Sequence, residues 1–116
     1  MDFTSGATVG PRFDQGGYDL GLGNNVYGFL PSAAGAPDVA RAFRGAGWRV
    51  RRSGWTEYEV EHTYAQLELR PDTPLRFGGA VVPGRIGDLL SAFSALGLAH
   101  VVELYDEDGG ETVYRS

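Results

Sequence analysis

Asp38-Val-Ala-Arg-Ala-Phe-Arg-Gly-Ala-Gly47 and Asp88-Leu-Leu-Ser-Ala-Phe-Ser-Ala-Leu-Gly97 share an acid, an Ala-Phe pair and a closing glycine at the same offsets, and each precedes a strand-like run. In the first stretch, Val39, Ala42, Phe43 and Ala46 recur at i, i+3, i+4 and i+7, which predicts an amphipathic helix from Pro37 to about Ala46. Pro37 suits the first helical turn, Asp38 complements the helix dipole, and Gly47 is a fitting stop. The second stretch predicts a helix over about 85–96, with Ile86, Leu89, Leu90, Phe93 and Leu96 inward; being more apolar, it is expected to be the more central.

Working outward, Trp48 and Val50 alternate with Arg49 and Arg51, a turn follows at Ser53-Gly54, and Glu57–His62 alternates again. A centred hairpin pairs Val50 with Val60, Trp48 with His62, Arg51 with Glu59 and Arg49 with Glu61. One face is then apolar and aromatic, and the other is an arginine–glutamate ladder. Beyond His62, Glu57, Glu59 and Glu61 share a parity with Ala65, Leu67 and Leu69, so a register-shifting bulge is expected near 63–65. Pro71-Asp-Thr-Pro74 makes a turn, Leu75–Val82 a strand, and 98–105 and Glu111–Arg115 a final hairpin around Asp106-Glu-Asp-Gly-Gly110. At the other end, Tyr18, Leu20 and Leu22 alternate before Gly23-Asn-Asn25 and Val26–Leu30, a further hairpin. Residues 1–17 read as a loosely ordered glycine-rich arm with a short edge strand near Thr8–Val9. The expected architecture is an α+β domain over 18–116, in which two βαββ-like repeats, 18–70 and 75–116, form a mostly antiparallel sheet under two helices, or close partway toward a barrel.

Totals restrict the chemistry. With 116 residues the chain can bury a core unaided, and with no cysteine it has no thiol nucleophile, thiolate metal site or disulfide. No signal-like apolar run and no stretch of bilayer length occurs, which predicts a soluble, cytoplasmic protein without membrane association. All basic residues are arginine, as a GC-rich coding bias gives. A net charge of −5 opposes nucleic-acid binding and favours a basic protein partner.

No catalytic set is complete. His62 and His100 both fall on apolar strand positions without a third triad member, and no ligand spacing points to a metal or cofactor. The acidic loop at 106–111 lacks the distal glutamate of an EF-hand, and Gly21-Leu-Gly23 lacks the later glycine and the helix of a dinucleotide fingerprint. Glu57, Glu59 and Glu61 stand about 7 Å apart along one strand face, but the expected arginine pairing makes that row structural.

Two candidate surfaces remain. Glu103, Asp106, Glu107, Asp108 and Glu111, with Tyr105 and Tyr114 beside them, form an acidic prong suited to a basic cleft. Tyr27, Phe29, Trp48, Tyr58, His62 and Tyr64 could instead line an aromatic pocket between sheet and helices, for a small molecule or a metal-independent reaction. A homodimer that pairs edge strands is a third reading, on the expectation that the glycine-rich N-terminal region leaves an edge uncovered.

The paired βαββ pattern, the duplicated helix starts at Asp38 and Asp88, and Asp106-Glu-Asp-Gly109 before the last strand resemble the vicinal-oxygen-chelate group of glyoxalase-like and drug-binding proteins. Neither repeat-opening strand carries a histidine and no glutamate stands at that group's metal position, so the resemblance implies topology without a metal. In size and charge the chain is also similar to bacterial immunity and antitoxin proteins, which block basic nucleases with carboxylate-rich surfaces. That likeness implies a non-enzymatic inhibitor of a basic toxin or nuclease.

Overall fold

The computed structural model describes residues 6–13, 24–106 and 108–116. In chain order the elements are β1 (Val26–Leu30), α1 (Ala36–Gly45), β2 (Arg49–Arg52), β3 (Tyr58–His62), β4 (Ala65–Arg70), β5 (Leu75–Val81), α2 (Ile86–Ala95), β6 (Val101–Tyr105) and β7 (Glu111–Arg115). The strands make one antiparallel seven-stranded sheet in the order β2-β3-β4-β5-β1-β6-β7. The fold is thus α+β. β2 and β7 do not pair with each other, so the sheet stays open rather than closing toward a barrel.

This order makes β1 parallel to β2, and β5 parallel to β6, each pair separated by intervening strands. Both helices are therefore crossover connections, and right-handed crossovers in opposite directions from antiparallel strands place them on the same sheet face. The core confirms this: Val39, Ala40 and Phe43 of α1 and Leu89 and Phe93 of α2 are buried with Val26, Leu30, Val50, Val60, Leu67, Leu69, Phe77, Val81 and Val102. Among the described residues the other sheet face carries no helix.

The β2–β3 register is Arg49↔Glu61, Val50↔Val60 and Arg51↔Glu59, as the alternation predicts. The expected bulge at 63–65 is instead a tight turn: His62 pairs with Ala65, and β4 folds back on β3. A two-residue connection returns the chain with Glu61 opposite Gln66 and Val60 opposite Leu67, which separates carboxylates from leucines without any bulge.

α1 buries Ala36, Val39, Ala40 and Phe43, a stripe rotated from the expected one, and leaves Ala46 exposed beyond the helix end. α2 fully buries only Leu89 and Phe93, while Ile86, Leu90 and Leu96 are half-buried. The first helix, not the more apolar second, therefore sits deeper. Gly47 and Gly97 close the two helices with φ of 91° and 69°, the left-handed region where glycine is favoured.

β1 is a central strand. The expected partner for it at Tyr18–Leu22 lies outside the described residues; β1 pairs with β5 and β6. Asn25 does not serve as a left-handed turn residue. Its side-chain amide donates to the Val81 carbonyl (2.9 Å) while its side-chain oxygen accepts from the Val81 N–H (2.9 Å), extending the β1–β5 ladder. Gly28 permits the close approach of β6, because a Cβ there would stand 2.1 Å from the Val101 carbonyl oxygen.

Candidate functional site

Strand parity sorts the expected site residues onto two faces. Val26 and Leu30 point into the core, so Tyr27 and Phe29 between them belong to the helix-free face. In β6 and β7 the same face carries Val101, Glu103, Tyr105, Glu111, Val113 and Arg115, since Tyr27 is in register with Glu103, and Glu103 with Val113. Tyr27 and Tyr105 meet edge to face with ring centroids 5.9 Å apart, and Tyr27 remains 41% exposed. The Tyr105 hydroxyl donates to Glu103 Oε2 at 3.2 Å. Burial, then the charge of Glu111, then the bond to Glu103 all push the Tyr105 phenol above its ordinary ionisation range.

The rest of the acidic hairpin divides by role. Asp106 Oδ1 accepts from the backbone N–H of Asp108 (3.1 Å) and Gly110 (2.7 Å), while the Asp106 N–H donates to the Gly110 carbonyl (2.9 Å). That carboxylate builds the turn, as Asp side chains in turns do. Asp108 and Glu111 are exposed. Glu107 lies outside the described residues. Tyr114 pairs with Val102 and packs against the core on the helix face, so it does not join Tyr105.

A charge census separates this hairpin from the remaining sheet. Asp38, Glu59, Glu61, Glu68, Asp72 and Asp88 each pair with an arginine, respectively Arg41, Arg51, Arg49, Arg70, Arg76 and Arg85. Glu103, Asp106, Asp108 and Glu111 have no arginine partner among the described residues, and outside the hairpin only Glu57 shares that state. Glu61, 5% exposed, also accepts the N–H of Phe13 at 2.8 Å, which fastens the N-terminal segment to the helix-free face.

The aromatic residues expected in one pocket do not converge. Tyr27 and Phe29 take the helix-free face, whereas Trp48, His62 and Tyr64 cluster on the helix side. There the His62 ring lies 5.2 Å from Trp48 and 4.9 Å from Tyr64, while Tyr58 packs on the core at the opposite end of the same strand. Arg85, which sequence reasoning treated only as a helix start, places its guanidinium 5.0 Å over the Tyr64 ring and bonds Asp88. The only local signal for this contact was the cation itself; Tyr64 and Arg85 meet through the β4–β5 hairpin. Burial, then the charge of Arg85, lowers the His62 pKa, and burial first of all raises that of Tyr64. His62 Nδ1 lies 3.2 Å from Thr63 Oγ1. His100 is a core residue: its ring lies against Phe93 at 5.2 Å, and its Nδ1 donates to the Leu98 carbonyl at 2.9 Å.

Sequence reasoning also passed over Trp55, 88% exposed in the β2–β3 connection, where Arg52 lies 5.6 Å from its ring and bonds its carbonyl. Among the described residues no group of three His, Asp or Glu side chains is placed to hold a metal ion, and no helix is long and apolar enough to cross a membrane. Compared with known proteins, the chain matches no family model, no curated protein and no solved structure.

Proposed function

We propose that this chain is a non-enzymatic acidic binding protein of the immunity or inhibitor type, which acts in the cytoplasm and blocks a basic protein such as a toxin or nuclease. One observation carries the reading: the last hairpin concentrates carboxylates without arginine partners beside the half-exposed Tyr27–Tyr105 pair, whereas almost every other described carboxylate is neutralised. Unpaired acids give a directional field that speeds encounter with a basic surface, and half-exposed tyrosines supply apolar contact at small entropic cost. Glu103, Asp108 and Glu111 make the charged contact. Tyr27 and Tyr105 form its floor, and Asp106 shapes the loop.

The test compares two affinity columns at low salt, one of the native chain and one of a Glu103→Arg/Asp108→Arg variant with an unchanged melting profile. A basic protein held by the first column, released by moderate salt and lost from the second is the expected result. Equal retention on both columns, or an association rate indifferent to ionic strength, overturns the proposal.

A second reading draws on the Arg85–Tyr64–His62–Trp48 cluster, which joins a cation, a shifted imidazole and two further rings on the helix side. It makes the chain a binder of a small aromatic ligand that stacks beside the Asp88-paired Arg85. A ligand screen by thermal shift in which Arg85→Gln abolishes the response would favour this reading over the first.

We also read the two helices and their flanking strands as duplicated βαββ units. The equal-length helices, Phe43 and Phe93 at matching positions, and left-handed Gly47 and Gly97 support that reading. β4, an extra strand after the first unit, has no counterpart in the second.

A further inference from the structure

We propose that β7 is a self-association edge, which pairs antiparallel with β7 of a second copy about a two-fold axis at Val113. The two edges of the sheet are β2 and β7, and they are treated differently. At β2, the Thr8 N–H donates to the Val50 carbonyl (2.8 Å), and the Val50 N–H donates to Thr8 Oγ1 (2.9 Å). Gly10 passes so close that a Cβ would stand 2.6 Å from the Arg49 nitrogen. The N-terminal segment therefore covers one edge, contrary to the expectation that it leaves an edge open.

No described residue does the same for β7. Its inward bonds are marked at both ends of the hairpin, where the Asp106 N–H donates to the Gly110 carbonyl (2.9 Å) and the Ser116 N–H donates to the His100 carbonyl (3.0 Å). Antiparallel ladders alternate, so the even positions of β7 bond inward and the backbone groups of Glu111, Val113 and Arg115 point outward. Those three are the positions that a new strand would bond.

Charges at an edge strand ordinarily deter pairing. Here they have opposite signs and stand symmetrically about the 44%-exposed Val113. With Val113 opposite its own copy, Glu111 faces the second copy's arginine at 115, and Arg115 faces the second glutamate at 111. Neither Glu111 nor Arg115 has an ion-pair partner among the described residues of its own chain. Self-pairing thus satisfies the open backbone groups, joins two exposed valines and closes two cross-strand charge pairs at once. A parallel or shifted register loses one or more of these matches. Five residues of edge bury little area, so the dimer is weak, with dissociation in the micromolar range or above.

This inference goes beyond the basic-partner reading and does not rest on it: of that reading's charged contact only Glu111 enters the strand pairing, while Glu103 and Asp108 stay outside it. The test is sedimentation velocity of the full chain over a concentration series reaching about 1 mM, the weak limit of specific association. The native chain is expected to dimerise. Val113→Pro removes only an outward N–H and is expected to leave a folded monomer. Glu111→Arg and Arg115→Glu each set like charges opposite each other twice, and each is expected to raise Kd about tenfold. The double substitution Glu111→Arg/Arg115→Glu restores opposite signs and is expected to recover dimerisation, a rescue that also holds if the proline variant misfolds. A native chain monomeric throughout the series overturns the proposal. So does a dimer unmoved by the single charge changes, or a folded double variant that fails to recover.

Discussion

Phe43 of α1 and Phe93 of α2 meet edge to face above the sheet, with ring centroids 6.1 Å apart and planes at 85°. They hold matching places in the two similar stretches of sequence, and each is fully buried. Phe43 passes the contact on to Trp48 at 4.7 Å, and Phe93 to Phe77 and His100, both at 5.2 Å. The two helices are thus joined to opposite halves of the sheet through one aromatic chain.

Truncating either ring leaves a cavity that sheet and helices can only partly close. Phe93→Ala is expected to cost about 3–5 kcal/mol. That is a large share of a small domain's typical stability, and Phe93→Leu is expected to cost less because it retains much of the buried volume. Urea denaturation of the three proteins checks the order. Near-native stability of the alanine variant would mean that the helices do not depend on this contact.

Glu61 makes a second long-range tie. Its carboxylate holds Arg49 across the β2–β3 pair and the Phe13 N–H from the N-terminal segment, while nearly buried itself. Glu61→Ala leaves both donors without their acceptor and is expected to cost about 1–3 kcal/mol. Hydrogen exchange distinguishes the two losses. The amides of Phe13 and Thr8 are expected to lose protection in Glu61→Ala, whereas Arg49→Ala is expected to spare Phe13, whose bond to the carboxylate survives.

Much of the β2–β3 hairpin was legible because alternation and charge agree there: only one register sets Arg49 and Arg51 against Glu61 and Glu59 while keeping Val50 on Val60. The connection after His62 was not, because Thr63-Tyr64 carries none of the glycine or asparagine that marks a tight hairpin. The central place of β1 was likewise hidden, since strand order depends on long-range pairing that no local pattern states. For the aromatic pocket a usable signal existed. Tyr27 and Phe29 alternate with Val26 and Leu30, so their parity already separated them from a core-facing cluster with Trp48 and Tyr64. The acidic hairpin was legible as a cluster, but the capture of Asp106 by its own turn and the separation of Tyr114 from Tyr105 follow only from the turn geometry and the β6–β7 register.

His62 makes stability depend on pH in a definite direction. It is packed between Trp48 and Tyr64, and both its burial and the charge of Arg85 disfavour the imidazolium, so its folded pKa lies below the ordinary value of 6.5. The unfolded chain then binds the proton more readily than the folded one. Stability associated with this group is complete above pH of about 6.5 and declines as pH falls from there toward the folded pKa. His62→Gln is expected to flatten that portion of the stability–pH curve, measured as the difference between variant and native chain in urea midpoints at each pH. Arg85→Gln removes the smaller of the two causes and is expected to raise the His62 titration midpoint, followed by the NMR shift of its ring protons, without restoring it fully. If the native midpoint lies at or above 6.5, or moves down when Arg85 is replaced, then neither burial nor the guanidinium governs this histidine.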